Sequence, residues 1–171
     1  MKNKIVLFIV FFLFNCNYAF NEVELRAYFS PEEGCLNAII YEIKLARKSI
    51  YVLAYLISSK KIVEALIKAH KKGIRIEVIF DSQCATEMKE VSKHKVLKEA
   101  GIKVLFNKKH KRLHDKVILI DSNIVITGSY NFTVGAERYN SENLVVIKSE
   151  YIYRRFFSHY IKRRNESTEN Q

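Results

Sequence analysis

Apolar positions along this chain switch repeatedly between two spacings, and the switches predict strands alternating with helices. Leu25 to Phe29 reads as a first strand, closed by Ser30 and Pro31. The stretch EEGCLNAIIYEIKLARKS then sets Leu36, Ile39, Ile40, Ile43 and Ala46 at helical intervals, acids early and bases late as the helix dipole favours. IYVLAYLI is apolar almost throughout, the mark of a strand covered on both faces. Ser58 or Ser59 can cap a second helix through Ile62, Val63, Leu66, Ile67 and His70, ended by Gly73. IRIEVIFD sets Ile74, Ile76, Val78 and Phe80 against Arg75, Glu77 and Ile79, a third strand. A polar helix is predicted from Ser82 to Ala100, stopped by Gly101, and IKVLF is a fourth strand. Two further strands, Lys116 to Ile120 and Ile124 to Thr127, flank the turn-forming DSN; NLVVIK is a last strand and Tyr151 to Arg164 an amphipathic helix.

This order predicts an α/β domain with a mixed, mainly parallel β-sheet flanked by helices on both faces. The close pair around Asp121 predicts an antiparallel hairpin within it. The polar tail NESTENQ, residues 165–171, is expected to lack order, and no internal repeat is present.

At 171 residues the length suits one domain. Lys2 and Lys4 precede the apolar run Ile5 to Phe14, with polar residues after it, so residues 1–20 read as an export signal ahead of a catalytic domain over 21–164. Ten apolar residues fall short of the ~20 that span a bilayer, which favours export to the periplasm or beyond over a retained N-terminal anchor. The formal charge is +11, and +9 (27 basic minus 18 acidic) without those twenty residues. Such a surface suits nucleic acid or an anionic membrane, or serves solubility alone. Three cysteines without a CxxC and five scattered histidines make no zinc pattern, so no metal or cofactor is expected. Cys35 and Cys84 can pair in an oxidising compartment or stay buried and free.

The sharpest chemistry lies in HDKVILIDSNIVITGSYN. Side chains alternate along a strand, so His114 and Lys116 share a face while Asp115 points away. Ser129 and Asn131 repeat that spacing on the neighbouring run, where Gly128 permits close backbone approach. An ammonium, a hydroxyl, a carboxamide and an imidazole with no carboxylate cluster nearby describe a phosphoryl site, with His114 as candidate nucleophile. A lone histidine before a strand is ordinarily just a surface or core residue, and the other three side chains are what favour catalysis. Lys108, Lys109, Lys111 and Arg112 form a charge run of the kind that is often a solvated loop. Because it leads directly into His114, it is read as a substrate-binding segment for backbone phosphates. His94 reads as a solvated helix residue, His110 can touch a phosphate within its basic loop, and Tyr130 should face away from the site.

These residues fit H-x-K-x4-D-x6-G-S-x-N through His114, Lys116, Asp121, Gly128, Ser129 and Asn131, which resembles the signature of the phospholipase D superfamily. The stretches AYFSPEEGCLNAII, ALIKAHKKGIRIEVIFD and NFTVGAERYNSENLVVI are similar to its small bacterial endonuclease branch with one motif per chain, and to the mitochondrial cardiolipin hydrolase and piRNA nuclease. The resemblance implies that His114 attacks phosphorus to give a phosphohistidine. Lys116 and Asn131 would neutralise the non-bridging oxygens and Ser129 would hydrogen-bond in the same pocket. Glu142 matches the acid that holds the histidine ring, and Asp121 is expected to be structural although it belongs to the motif. Two histidines are needed and this chain carries one motif, so the resemblance also implies a homodimer with a shared site. AYLISS departs from the family's usual aromatic and threonine-containing version, so the groove beside that strand is expected to differ.

Three functions follow. The first is a metal-independent phosphodiesterase cutting DNA or RNA with little sequence preference. The second is a phospholipase D acting on anionic phospholipid at a membrane. The third is a nucleic-acid-binding protein without turnover, against which the intact His114, Lys116 and Asn131 argue.

Overall fold

The predicted alternation holds through the first half of the chain. The computed structural model describes residues 23–170. β1 (Glu24–Ser30), α1 (Cys35–Leu45), β2 (Ser49–Ala54), α2 (Lys60–Lys71) and β3 (Arg75–Asp81) fall where the periodicity puts them. Ser59 caps α2, its hydroxyl accepting from the Ile62 amide. The predicted helix from Ser82 to Ala100 is instead two short ones, α3 (Ser82–Glu87) and α4 (His94–Glu99). Between them the Lys93 amide donates to the Ile57 carbonyl (2.9 Å), which pulls the chain out of helical register. β4 (Lys103–Asn107), β5 (Lys116–Ile120) and β6 (Ile124–Gly128) follow, then α5 (Val134–Arg138), which the periodicity did not announce, β7 (Glu142–Lys148) and α6 (Glu150–Asn165). Within the tail expected to lack order, Ser167–Thr168 form β8 against Phe106 and Asn107.

The eight strands make one sheet in the order β1-β7-β6-β5-β2-β3-β4-β8. Only β2–β3 and β3–β4 are parallel, and the remaining neighbours are antiparallel. The sheet is therefore mixed, as predicted, but mostly antiparallel rather than mainly parallel. The reason lies in the connections. A parallel step needs a crossover of a dozen or more residues, usually a helix, whereas the eight residues from Lys108 to Asp115 carry none, so β5 enters reversed against β2. The hairpin around Asp121 then reverses β6, with Asp121 and Ser122 in the left-handed region (φ 51° and 69°).

Helices cover both faces. Ile50, Val52, Ile76, Val78, Ile118 and Ile120 pack with α1 and α2 on one side, while Leu53, Ile79, Val117 and Leu119 pack under Tyr153 and Tyr160 of α6 on the other. The near-continuous apolar runs of β2, β3 and β5 follow from being covered twice. His94 is buried between Phe80 and Phe106 with its Nδ1 2.9 Å from Ser92 Oγ, so it is a core residue and not a solvated one. Cys35 and Cys84 are buried free thiols.

Candidate active site

Strand directions place the C-terminal ends of β1, β2, β3, β4 and β6 and the N-terminal ends of β5 and β7 at one end of the sheet. The motif residues sit there. Lys116 opens β5 on the α1/α2 side and is buried, and exposed His114 lies two residues before it. Lys116 Nζ donates to His114 Nδ1 (2.9 Å) and to the His114 carbonyl (2.8 Å). Burial pushes the Lys116 ammonium below the ordinary lysine range, and the nearby carboxylates of Asp115 and Glu142 act against that. Asp115 faces the other way, 3.1 Å from His159 Nε2 of α6, as the strand alternation requires.

β6 and β7 supply the second half. A Cβ on Gly128 would lie 2.2 Å from the Asn143 carbonyl oxygen, so only glycine allows these backbones to come together. That approach lets the Ser129 and Tyr130 amides both donate to the Asn143 carbonyl (3.1 and 3.2 Å). Ser129 Oγ donates to Glu142 Oε2 (2.5 Å) and accepts from the Asn143 amide (3.0 Å), while Asn140 Nδ2 holds the other Glu142 oxygen (3.0 Å). Asn131 carries a buried Oδ1 with no hydrogen-bond partner. Tyr130 points inward, fully buried, its hydroxyl donating to Glu137 (3.0 Å).

Two expectations change, those for Glu142 and Arg112, and Asp121 takes other partners than its own turn. Glu142 makes no hydrogen bond to His114 within one chain; its partners are Ser129 and Asn140. Asp121 lies at the far end of β5, roughly 17 Å along the strand from Lys116. There its carboxylate accepts from the amides of Arg47, Lys48 and Ser49 (2.6, 2.8 and 2.9 Å), so it fastens the hairpin to the α1–β2 loop and stands outside the site. Of the basic loop, Lys108, Lys109 and Lys111 are exposed and have no ion-pair partner among the described residues, whereas Arg112 reaches Glu87 (3.5 Å). His110 is held by Asn107 (3.2 Å) and the Arg163 guanidinium, which pins this loop to α6.

Two residues of the site escaped sequence reasoning. Asp81 ends β3 buried, one oxygen capping α3 through the Cys84 amide and the other accepting from the Leu113 amide (both 2.6 Å). It thereby sets the chain just ahead of His114. Its signal was the Asp–Ser pair after a strand, a helix cap pattern. Tyr55 follows β2 directly, with its ring centroid 4.8 Å from that of His114. Beyond Asn131 a cleft of about 1040 Å³ opens, lined in part by Pro31, Leu36, Val91, Val134 and Tyr139. Lys60, Lys61, Lys93 and Arg138 also line it, and none pairs with an acid among the described residues. Among those residues no three His, Cys, Asp or Glu side chains cluster so as to hold a metal ion, and no helix is long and apolar enough to cross a membrane.

A mixed α/β sheet that gathers an imidazole, a buried ammonium, a hydroxyl and a carboxamide at one end defines an enzyme site for a phosphate ester. Comparison with known proteins agrees. Residues 39–164 match the family described as "Cardiolipin synthase, PLD-like domain". The protein named phospholipase D of Rickettsia prowazekii is 34% identical over 139 residues, covering 81% of this chain and 67% of that protein. Mitochondrial cardiolipin hydrolase of Canis lupus familiaris is 29% identical over 128 residues, 75% of this chain and 50% of that one. The crystal structure of Nuc from Salmonella typhimurium, a phospholipase D family member, superposes with a TM-score of 0.82 at 31% identity, covering 86% of this chain and 97% of Nuc. The chain belongs to the phospholipase D superfamily, and it is a phosphodiesterase of that superfamily.

Proposed function

We propose that this phosphodiesterase is an endonuclease that cuts DNA or RNA through a phosphohistidine, in a site completed by a second copy of the chain. The observation that carries the substrate class is the exposed run Lys108, Lys109 and Lys111, without an ion-pair partner among the described residues and leading directly to His114, since such contacts hold a phosphodiester backbone without reading bases. His114 Nε2 attacks phosphorus and the bond to the leaving oxygen breaks, that oxygen taking a proton from His114 of the second subunit. Water then gives its proton to this second imidazole and displaces the first. Lys116 and Asn131 face the charge on the non-bridging oxygens. In one chain Nδ1 of His114 accepts from Lys116, which puts the ring proton on Nε2. Attack through Nε2 needs the opposite tautomer, with Nδ1–H donated to a carboxylate. Glu142 reaches no imidazole in its own chain, so the reading assigns it to His114 of the other subunit.

A second reading is phospholipase D action on anionic phospholipid, and the apolar lining of the cleft with cations beside it favours it. Purified protein incubated in EDTA with plasmid and with labelled phospholipid, beside His114→Ala, separates the two. Plasmid cleavage by the wild type alone is expected, with His114→Ala slowed by about 10³-fold or more. Headgroup release without plasmid cleavage favours lipid, and binding without turnover of either excludes both. Equimolar wild type and His114→Ala, allowed to exchange subunits, should retain about a quarter of wild-type activity if both histidines serve one site, against about half if each chain acts alone. The twenty N-terminal residues lie outside the described residues; export with their removal is part of this proposal, and N-terminal sequencing of the mature protein tests it.

A further inference from the structure

Four contacts converge on Tyr55, which neither the motif nor the charge pattern singles out. β2 ends at Ala54, paired with Lys116. One residue on, the Tyr55 amide donates to the Asp115 carbonyl (3.1 Å), which fixes its backbone to the residue between His114 and Lys116. The ring then lies with its centroid 4.8 Å from the His114 ring, tilted by 58°, and 5.5 Å from Lys116 Nζ. At the far end the phenol meets the Cys84 thiol, and burial together with that contact pushes the phenol above its ordinary range, so the hydroxyl stays protonated. Cys84 is buried at the start of α3, which Asp81 caps. The residue is therefore held at its backbone by the motif segment itself and at its phenol by α3, outside the motif.

We infer that Tyr55 is a positioning residue for phosphoryl transfer: its ring restricts the imidazole of His114 and keeps Lys116 an ammonium. The inference rests on the reading of His114 as nucleophile. An exposed histidine ordinarily samples several rotamers, and a ring already in place removes that freedom before substrate arrives. Lys116 is buried, which disfavours its charge, while an aromatic face at this distance favours it. The groups acting on Lys116 are His114 and, from the opposite face, Asp115 in its own segment, Tyr55 just after β2, Cys84 from α3 and Glu142 from β7, with Arg112 and Asp81 acting on the Tyr55–Cys84 pair. Among the groups that act to keep the amine charged, the ring is the one that also touches the nucleophile.

The test uses the full chain and bis(p-nitrophenyl) phosphate, a diester too small to need a groove, over a range of pH. Tyr55→Leu is expected to lower kcat by about 10- to 100-fold with KM changed by less than about threefold. Its basic limb should move about half a pH unit lower, because the ammonium loses the ring that favours it. Tyr55→Phe keeps the ring and should stay within about twofold of wild type with an unmoved limb. Should Tyr55→Leu fail to fold, Tyr55→Met carries the same expectations. Wild-type rates and an unmoved limb in the ring-less variant overturn the inference, as does equal damage in Tyr55→Phe. His114→Ala run alongside keeps the two ideas apart: an active His114→Ala removes the nucleophile itself, whereas an inactive one beside a normal Tyr55→Leu removes only the role of Tyr55.

Discussion

Lys116 faces opposing demands. It must be buried to act in a water-poor pocket and charged to meet a phosphate, and the carboxylates of Asp115 and Glu142 with the ring of Tyr55 reconcile the two. The pairing of His114 with Lys116 was legible because strand alternation is a strict rule, and the same rule placed Asp115 on the far face. Tyr55 and Asp81 were not, since each acts through a contact some 30 or more residues along the chain that no local spacing encodes. Asp121 shows the converse: it belongs to the motif and is expected to bond the backbone of its own turn, whereas the partners of its carboxylate are amides of the α1–β2 loop. Asp121→Ala leaves three backbone donors without their acceptor. It should cost about 2–4 kcal/mol of stability by denaturant unfolding, while the folded fraction retains wild-type kcat. A matching loss of kcat per folded molecule would return Asp121 to the site.

Among elements, the helices and strands that bury one apolar stripe were read well, and the exceptions have separate causes. The predicted helix from Ser82 to Ala100 is split by the bond from the Lys93 amide to Ile57 in the β2–α2 loop, and α5 is too short to show a period. His94 is the sharpest case, because polar neighbours on both sides hid a position packed between Phe80 and Phe106. Burial, with Lys95 and Lys98 adding to it, lowers the proton affinity of this ring. The unfolded chain therefore binds a proton that the folded chain refuses. The contribution is fully present above the unfolded value near pH 6.5 and is lost as pH falls from there toward the folded value. Stability measured by urea unfolding between pH 8 and 5 should decline on the acid side, and His94→Gln should flatten that decline; an unchanged slope would show that another group is responsible.

At the scale of the whole molecule, the net positive charge was legible from composition but its placement was not. Among the described residues Lys108, Lys109 and Lys111 have no ion-pair partner while Arg112 is tied to Glu87, a division no count of charges conveys. Replacing Lys108 and Lys109 by alanine should lower the slope of log affinity for duplex DNA against log salt by roughly 1.8, at about 0.9 per phosphate contact. Hydrolysis of a small diester should be unaffected, and equal losses on both substrates would remove the loop from the binding surface. The mostly antiparallel sheet was missed because helical patterns in the first half suggested crossovers throughout, while the second half turns back by a loop and a hairpin. One result of that topology is practical. β1 and β8 occupy opposite edges of the sheet, so the first and last described strands bracket the catalytic row with six strands between them. Seven strand spacings and an offset of about five residues along the strands put dyes attached at Val23 and Thr168 roughly 37 Å apart, a built-in optical ruler whose reading responds if the sheet opens or a polymer threads across it.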